Sequence, residues 1–296
     1  MQMAAPTIIA QELQKKEPQM QSARTQNLYL DGIGVFGPGL TGWAQTCDVL
    51  TGRQSYIAAP TALPAIEKLP PAERRRVGTP VKLSMAIGLE AAKNAGADLA
   101  NLATVFSSTE ADCDNSHAIL EALASPDRAL SPTRFHNSVH NAASGYWGIA
   151  TGSMQPSTSL SAFDATFAAG LLEAATQAIS NGKPCLLLAY DTAYPEPLQR
   201  LRPIPAAMGV ALVINPCQTS TARALLKLTL SDDEATRMPQ DDLEHLRQSI
   251  PAARSLPLLA LLAQGRSGSV VVDYLDTLRL GIEVCDITPS PRSPQS

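Results

Sequence analysis

The sequence predicts an α/β fold, a mixed sheet sandwiched by helices. Short apolar runs of strand length alternate with segments of helical period along most of the chain. Apolar residues make up 45% of the 296 positions and aromatics only 4%, so alanine and leucine dominate the core. Small and unbranched side chains of this kind let helices pack closely on a sheet. The length is ample for a large buried core, and the composition excludes a disordered chain.

The elements follow in order. Residues 1–27 are polar and predict a flexible N-terminal arm. Residues 28–35 read as a strand ended by Gly37-Pro38-Gly39. Thr41 or Gly42 starts a helix that runs to Leu50 and stops at Gly52. Residues 53–79 are rich in proline and contain the basic run Arg74-Arg75-Arg76. A helix over 81–95 sets Leu83, Ile87 and Ala91 on one face, with Gly96 as its stop. A strand is expected at 102–107, a helix at 116–124 and another at 138–151 closed by Gly152. A strand at 157–162 leads into a helix over 164–180, with Asp164 as N-cap and Asn181-Gly182 as stop. Strongly apolar strands occupy 185–190 and 209–214. Beyond Pro216 the pattern predicts strands at 224–230, 269–273 and 282–284 and helices at 239–249 and 255–264. The tail 288–296, rich in proline and serine, predicts disorder.

The formal net charge of −4 argues against nucleic acid, which calls for a basic excess. No run approaches the ~20 apolar residues of a membrane span. The polar start shows no secretory core. Five dispersed cysteines without a C-x-x-C pattern point to a reducing, cytoplasmic setting. The four histidines and five cysteines form no set of zinc-ligand spacing, so neither a metal nor another cofactor is expected.

Several motifs have a functional and a plain reading. Gly32-Ile33-Gly34-Val35-Phe36-Gly37 matches G-x-G-x-x-G, but Pro38-Gly39-Leu40 follows where a dinucleotide fold needs a helix start. Glycines that let a strand turn tightly into a loop explain it better. His136 and His140 stand at i, i+4 and would share a metal if both lay on one helix. The glutamate of H-E-x-x-H is missing, and Asn137 or Ser138 reads as the cap of a helix that His136 precedes, which favours capping and packing. Polar groups at such a helix start are also placed to bind a carbonyl or an anion. Cys113 reads as a loop thiol whose flanking Asp112 and Asp114 raise its pKa, and Cys185 and Cys47 as inert. Arg74, Arg75 and Arg76 form either a solvated face or a contact for an acidic partner.

Three stretches together carry a family resemblance. They are Leu30-Asp-Gly-Ile-Gly-Val-Phe-Gly-Pro38, Ser131-Pro-Thr-Arg-Phe-His-Asn-Ser-Val-His-Asn-Ala-Ala-Ser-Gly145, and Ser157-Thr-Ser-Leu-Ser-Ala-Phe-Asp-Ala-Thr-Phe-Ala-Ala-Gly-Leu-Leu-Glu-Ala174 followed by Asn181-Gly-Lys-Pro-Cys-Leu-Leu-Leu-Ala-Tyr190. The chain resembles the N-terminal half of a β-ketoacyl synthase, a condensing enzyme of thiolase-like fold. Most similar are the short chain-length-factor-like subunits of aryl polyene and related pigment pathways. The resemblance implies a synthase-like domain over 28–216, a truncated C-terminal α/β portion over 217–287 and the tail 288–296.

In active members of that family a nucleophilic cysteine follows the strand, where the helix N-terminus favours its thiolate. Counting back from Gly182 places Ala165 there, between Asp164 and Thr166, and residues 157–180 contain no cysteine. The family's second half supplies two histidines, and His245 matches neither motif. The resemblance therefore implies no catalytic residues, and a non-condensing subunit paired with an active β-ketoacyl-ACP synthase. Phe135, His136, Asn137, Ser138, His140, Asn141, Phe163, Asp164 and Phe167 are its candidate pocket and interface residues. Ser157–Phe163 and Phe135–Gly145 would face the partner, Phe163 and Phe167 would close an acyl tunnel, and Arg74–Arg76 would receive an acyl carrier protein. Two rival readings are a stand-alone enzyme acting on acyl thioesters through His136 and His140, and a purely structural stabiliser of the synthase.

Overall fold

A computed structural model describes residues 27–287; the expected arm and tail otherwise lie outside the described residues. The elements in chain order are β1 (Asn27–Gly37), β2 (Leu40–Thr41), α1 (Trp43–Leu50), α2 (Pro71–Arg74), α3 (Thr79–Ala95), β3 (Ala103–Ser107), α4 (Cys113–Ala124), α5 (Pro132–Asn137), α6 (Ala142–Thr151), β4 (Ser157–Leu160), α7 (Thr166–Asn181), β5 (Cys185–Asp191), α8 (Leu198–Leu201), β6 (Met208–Asn215), β7 (Ala224–Ser231), α9 (Asp241–Ser249), α10 (Leu256–Ala263), β8 (Gly268–Val272) and β9 (Arg279–Asp286). The described residues form one nine-stranded sheet in the order β4-β3-β5-β6-β1-β7-β9-β8, with β2 paired to β1. β4, β3 and β5 run parallel, and the remaining pairs are antiparallel. The sheet is therefore mixed, as the sequence predicts, and residues 217–287 continue it through β7, β9 and β8.

Helices cover both faces because the central strands are apolar on both. Along β5, Cys185, Leu187 and Ala189 join one core and Leu186, Leu188 and Tyr190 the other. The first core takes Phe167, Leu171 and Ala174 of α7 with Leu256, Leu258 and Leu259 of α10. The second takes Leu83, Ile87 and Ala91 of α3 with Tyr146 and Trp147 of α6.

The glycine motif has a different cause from the one expected. Gly32 and Gly34 lie inside β1, not in a turn, and a side chain on either would strike the α3 backbone at the Ala91 or Ile87 carbonyl. The turn itself falls to Gly39, whose φ of 67° is left-handed. Glu90 of α3 then ties the layers together. Its carboxylate accepts from the Val35 and Trp43 amides at 2.9 and 2.6 Å, and burial raises its pKa.

The helix expected over 138–151 begins only at Ala142, as α6, and a separate short helix, α5, precedes it. Pro132 opens α5 behind the Ser131 cap, and the chain breaks over 138–141, where the Ser138 hydroxyl donates back to the Phe135 carbonyl at 2.8 Å. Asn137 ends α5 instead of capping the next helix. Its side chain points inward, donating to the Arg76 carbonyl and accepting from the Tyr146 hydroxyl. Cys113 is likewise no loop residue. It is the first residue of α4, behind the Asp112 cap.

A buried ion-pair network holds α9. Arg247 donates to both oxygens of Glu244 at 2.8 Å and to Asp273 at 2.7 Å. Chiefly through those Arg247 bonds, the Glu244 carboxyl is pulled down to about 2. A depressed carboxyl stabilises the fold fully above the ordinary carboxylate range and loses that contribution as pH falls through its folded value. Urea unfolding is expected to show wild type more stable than Glu244→Gln at pH 5, with the gap narrowing steadily towards pH 2. An unchanged gap would remove Glu244 from acid stability.

Candidate functional site

The site forms where β4 gives way to α7. The strand ends at Leu160, two residues before its predicted limit, and the chain makes one tight 3₁₀ turn over Phe163–Ala165 before α7 begins at Thr166. Phe163 has φ 54°, a left-handed conformation unfavourable for an aromatic residue. Its carbonyl accepts from Thr109 Oγ1 at 2.9 Å and from Thr166 Oγ1 at 2.5 Å. The Ser107 hydroxyl donates to the Thr166 carbonyl at 2.6 Å, and that of Ser161 to the Thr109 carbonyl at 2.8 Å. Thr166 thus spends its hydroxyl on the turn.

Asp164 does not cap the helix. Its oxygens pair with Arg202 Nη2 at 2.5 Å and Arg254 Nη2 at 3.2 Å. Cations brought in by distant segments outcompete the local amides, because a charged, forked partner binds a carboxylate more strongly than neutral N–H groups do. Arg202 also donates to the Tyr194 hydroxyl at 2.9 Å and lies 3.8 Å from the Phe163 ring centroid. Beneath the turn, Asp191 at the end of β5 is fully buried. It accepts from the Thr109 and Ala252 amides at 3.0 and 2.8 Å, and burial raises its pKa. A groove of about 500 Å³ opens beside the turn, with Phe163, Ala165, Arg254, Tyr274 and Leu275 among its walls.

The other predicted residues separate into groups. Phe167 is 1% exposed and packs in the core under the sheet. His136 sits on α5 with its ring edge-on to Tyr146, centroids 6.5 Å apart. His140 lies in the break, with Nε2 3.2 Å from the Ser108 carbonyl. The two imidazoles do not share a helix face. Phe135, His136, Val139, Asn141 and Ile149 border an apolar groove of about 570 Å³ on the α5–α6 surface. Arg75, Arg76 and Arg134 border another, into which Asp112 and Asp114 also face. Among the described residues, no group of three histidine, cysteine or acidic side chains is arranged to hold a metal ion, and no helix is long and apolar enough to cross a membrane.

None of the buried thiols is activated. Burial first, then Glu110, Asp112 and Asp114, pushes Cys113 up to about 12; burial does the same to Cys185, and takes Cys47 to about 11. For Cys113 the flanking acids act as expected, but burial is the larger cause.

The residues missed by sequence reasoning are Thr109, Asp191, Arg202 and Arg254. Asp191 carries a faint signal, an acid closing a fully apolar strand. The two arginines lie in irregular or 3₁₀ segments and carry none.

The chain belongs to the β-ketoacyl synthase N-terminal domain family, whose model matches residues 43–273. Solved structures agree on the fold, the thiolase-like ketosynthase fold. A ketosynthase, ApeO, in complex with its chain length factor, ApeC, from Xenorhabdus doucetiae matches with TM-score 0.67 and 22% identity, over 87% of this chain and 99% of that chain. The ishigamide ketosynthase/chain length factor matches with TM-score 0.67 and 14% identity over 88% and 100%. A β-ketoacyl synthase from Burkholderia phymatum STM815 matches with TM-score 0.61 and 10% identity over 89% and 100%. No curated protein sequence matches the chain.

Proposed function

We propose that this chain is a non-condensing, chain-length-factor-like subunit that pairs with an active β-ketoacyl synthase. Its pathway on this reading builds aryl polyenes or related fatty acid or polyketide chains. The observation that carries the reading is the turn before α7. Where the family places its nucleophile, this chain has Phe163-Asp164-Ala165-Thr166, with the carboxylate held by two arginines and the hydroxyl spent on a backbone carbonyl. Nothing there can form an acyl thioester.

The pairing surface is the β4 edge. Among the described residues, β4 is hydrogen-bonded only to β3 and its other side carries no strand. Around it stand Phe135, Ile149, Met154 and Phe163, which are 65%, 57%, 95% and 63% exposed. An open strand edge with apolar neighbours calls for a partner. The similar structures that contain a ketosynthase with its chain length factor support the same assembly, and one neighbour is described as a type II acyl carrier protein in complex with its ketosynthase. On this reading Arg74, Arg75 and Arg76 meet an acidic carrier protein, and Phe163 bounds the acyl chain.

The test is native mass spectrometry of the chain, alone and co-expressed with the synthase encoded nearest to it. A stable one-to-one heterodimer is expected. A chain that ignores the synthase would overturn the reading, and the search would turn to acyl-thioester chemistry at His136 and His140.

A further inference from the structure

We propose that Arg202 is a positioning residue, one that locks the Phe163 ring in place as a rigid wall against the growing acyl chain. The proposal rests on the reading that the chain pairs with a synthase and bounds its product.

Phe163 combines two features that a free surface does not explain. Its backbone is left-handed, at φ 54°, and its ring is 63% exposed. Strain of this kind persists only where the surroundings impose it, and it gathers at functional sites. The imposing groups are named above: two threonine hydroxyls fix the Phe163 carbonyl, and a guanidinium fixes the ring.

Arg202 is suited to that task because it is itself held. Its head group lies 3.8 Å from the Phe163 centroid and 5.7 Å from that of Tyr194. One nitrogen is on Asp164 and another on the Tyr194 hydroxyl. Asp164 is held in turn by Arg254. The side chain of Arg202 is only 20% exposed. A planar, delocalised guanidinium lies flat on an aromatic face while its fixed fork of N–H groups reaches two acceptors, a geometry that a tetrahedral ammonium does not reproduce. Phe163 thus stands against a fixed plate and cannot sweep through its rotamers. Its ring forms the apolar wall of the groove with Ala165, Tyr274 and Leu275. The other walls carry Asp164, Arg254, Asp273, Asp276 and Arg279, so the ring side is where a hydrocarbon chain would lie in an otherwise charged groove.

Two measurements test this. The first needs no partner. With 4-fluorophenylalanine in place of the five phenylalanines, the signal absent from Phe163→Leu is assigned to residue 163. In Arg202→Lys that signal is expected to move towards the exposed, freely rotating position while the other four stay put. The second uses the reconstituted synthase pair. Phe163→Ala is expected to lengthen the mean product by at least one two-carbon unit. Arg202→Lys keeps the charge opposite Asp164 and is expected to give the same direction of shift, with the heterodimer mass and the melting temperature unchanged. An unmoved fluorine signal, or wild-type product lengths from Arg202→Lys beside a shifted Phe163→Ala, would overturn the positioning role. Wild-type lengths from Phe163→Ala would overturn the wall. If the fluorine signal moves but wild type never pairs with the synthase, the pairing reading and the wall fail, and Arg202 still stands as the residue that fixes the ring.

Discussion

Ser159→Pro is expected to abolish pairing with the synthase while leaving the isolated chain folded. The register of β4 explains the choice. The Pro156 and Leu160 carbonyls accept from Thr104 and Ser108 of the neighbouring strand segment. Alternate residues of a strand direct their backbone groups to opposite edges. Ser157 and Ser159 therefore turn their N–H and C=O groups to the open side. Proline at 159 removes an outward donor and puts a ring there, without taking a hydrogen bond from β3. Proline is tolerated at such edge positions, where its missing N–H faces solvent. The melting temperature of the isolated chain should stay within about 3 °C, a change of roughly 1 kcal/mol for a domain of this size. Association is another matter. A stable interface buries on the order of 1,600 Å² in total, and a strand whose edge is blocked cannot bring its flanking apolar groups into register. Native mass spectrometry should then show two separate masses where wild type gives one complex. A variant that pairs as well as wild type would move the interface away from β4.

Sequence reasoning reached the order of the elements and the absence of a thiol at the turn, because both are local. Hydrophobic period and glycine stops placed α3, α7, β5 and β6 to within a few residues. It failed where a residue's role depends on a partner far along the chain. Asp164 reads as an N-cap because capping is the local option for an acid before a helix. The outcome was decided by Arg202 and Arg254, which lie 38 and 90 positions away. His136 reads as preceding a helix capped by Asn137 or Ser138 and His140 as lying within it; instead His136 lies inside α5 and His140 in the break that follows. At the break the Ser138 hydroxyl turns back onto the Phe135 carbonyl and the Asn137 amide reaches away to the Arg76 carbonyl, contacts that periodicity does not register. Phe167 reads as a pocket residue from its nearness to the turn, yet one step into α7 it already faces the core. That leaves Phe163, the residue that the turn itself pushes outward, as the aromatic at the site.

Gly34 tests the deepest layer of the same argument, the seat of α3 on β1. Glycine in a strand weakens it, so two glycines in the central β1 call for a compensating gain. The gain is close approach. With no Cβ at 32 and 34, the α3 backbone lies directly on the strand, and Glu90 reaches the Val35 and Trp43 amides. A methyl at 34 meets the Ile87 carbonyl, and backbone cannot step aside as the end of a side chain does. Gly34→Ala is therefore expected to cost about 3 kcal/mol, the upper part of the usual range for overpacking, and to lower the melting temperature by roughly 6–12 °C. Gly145 is the control. It lies within α6, is exposed, and has open space around its missing Cβ. There the same substitution is expected to stabilise by about 0.5–1 kcal/mol through helix propensity alone. Opposite signs for one chemical change, read by thermal unfolding of the two variants, would assign the glycine motif to helix–strand contact. Equal effects would return it to a local turn.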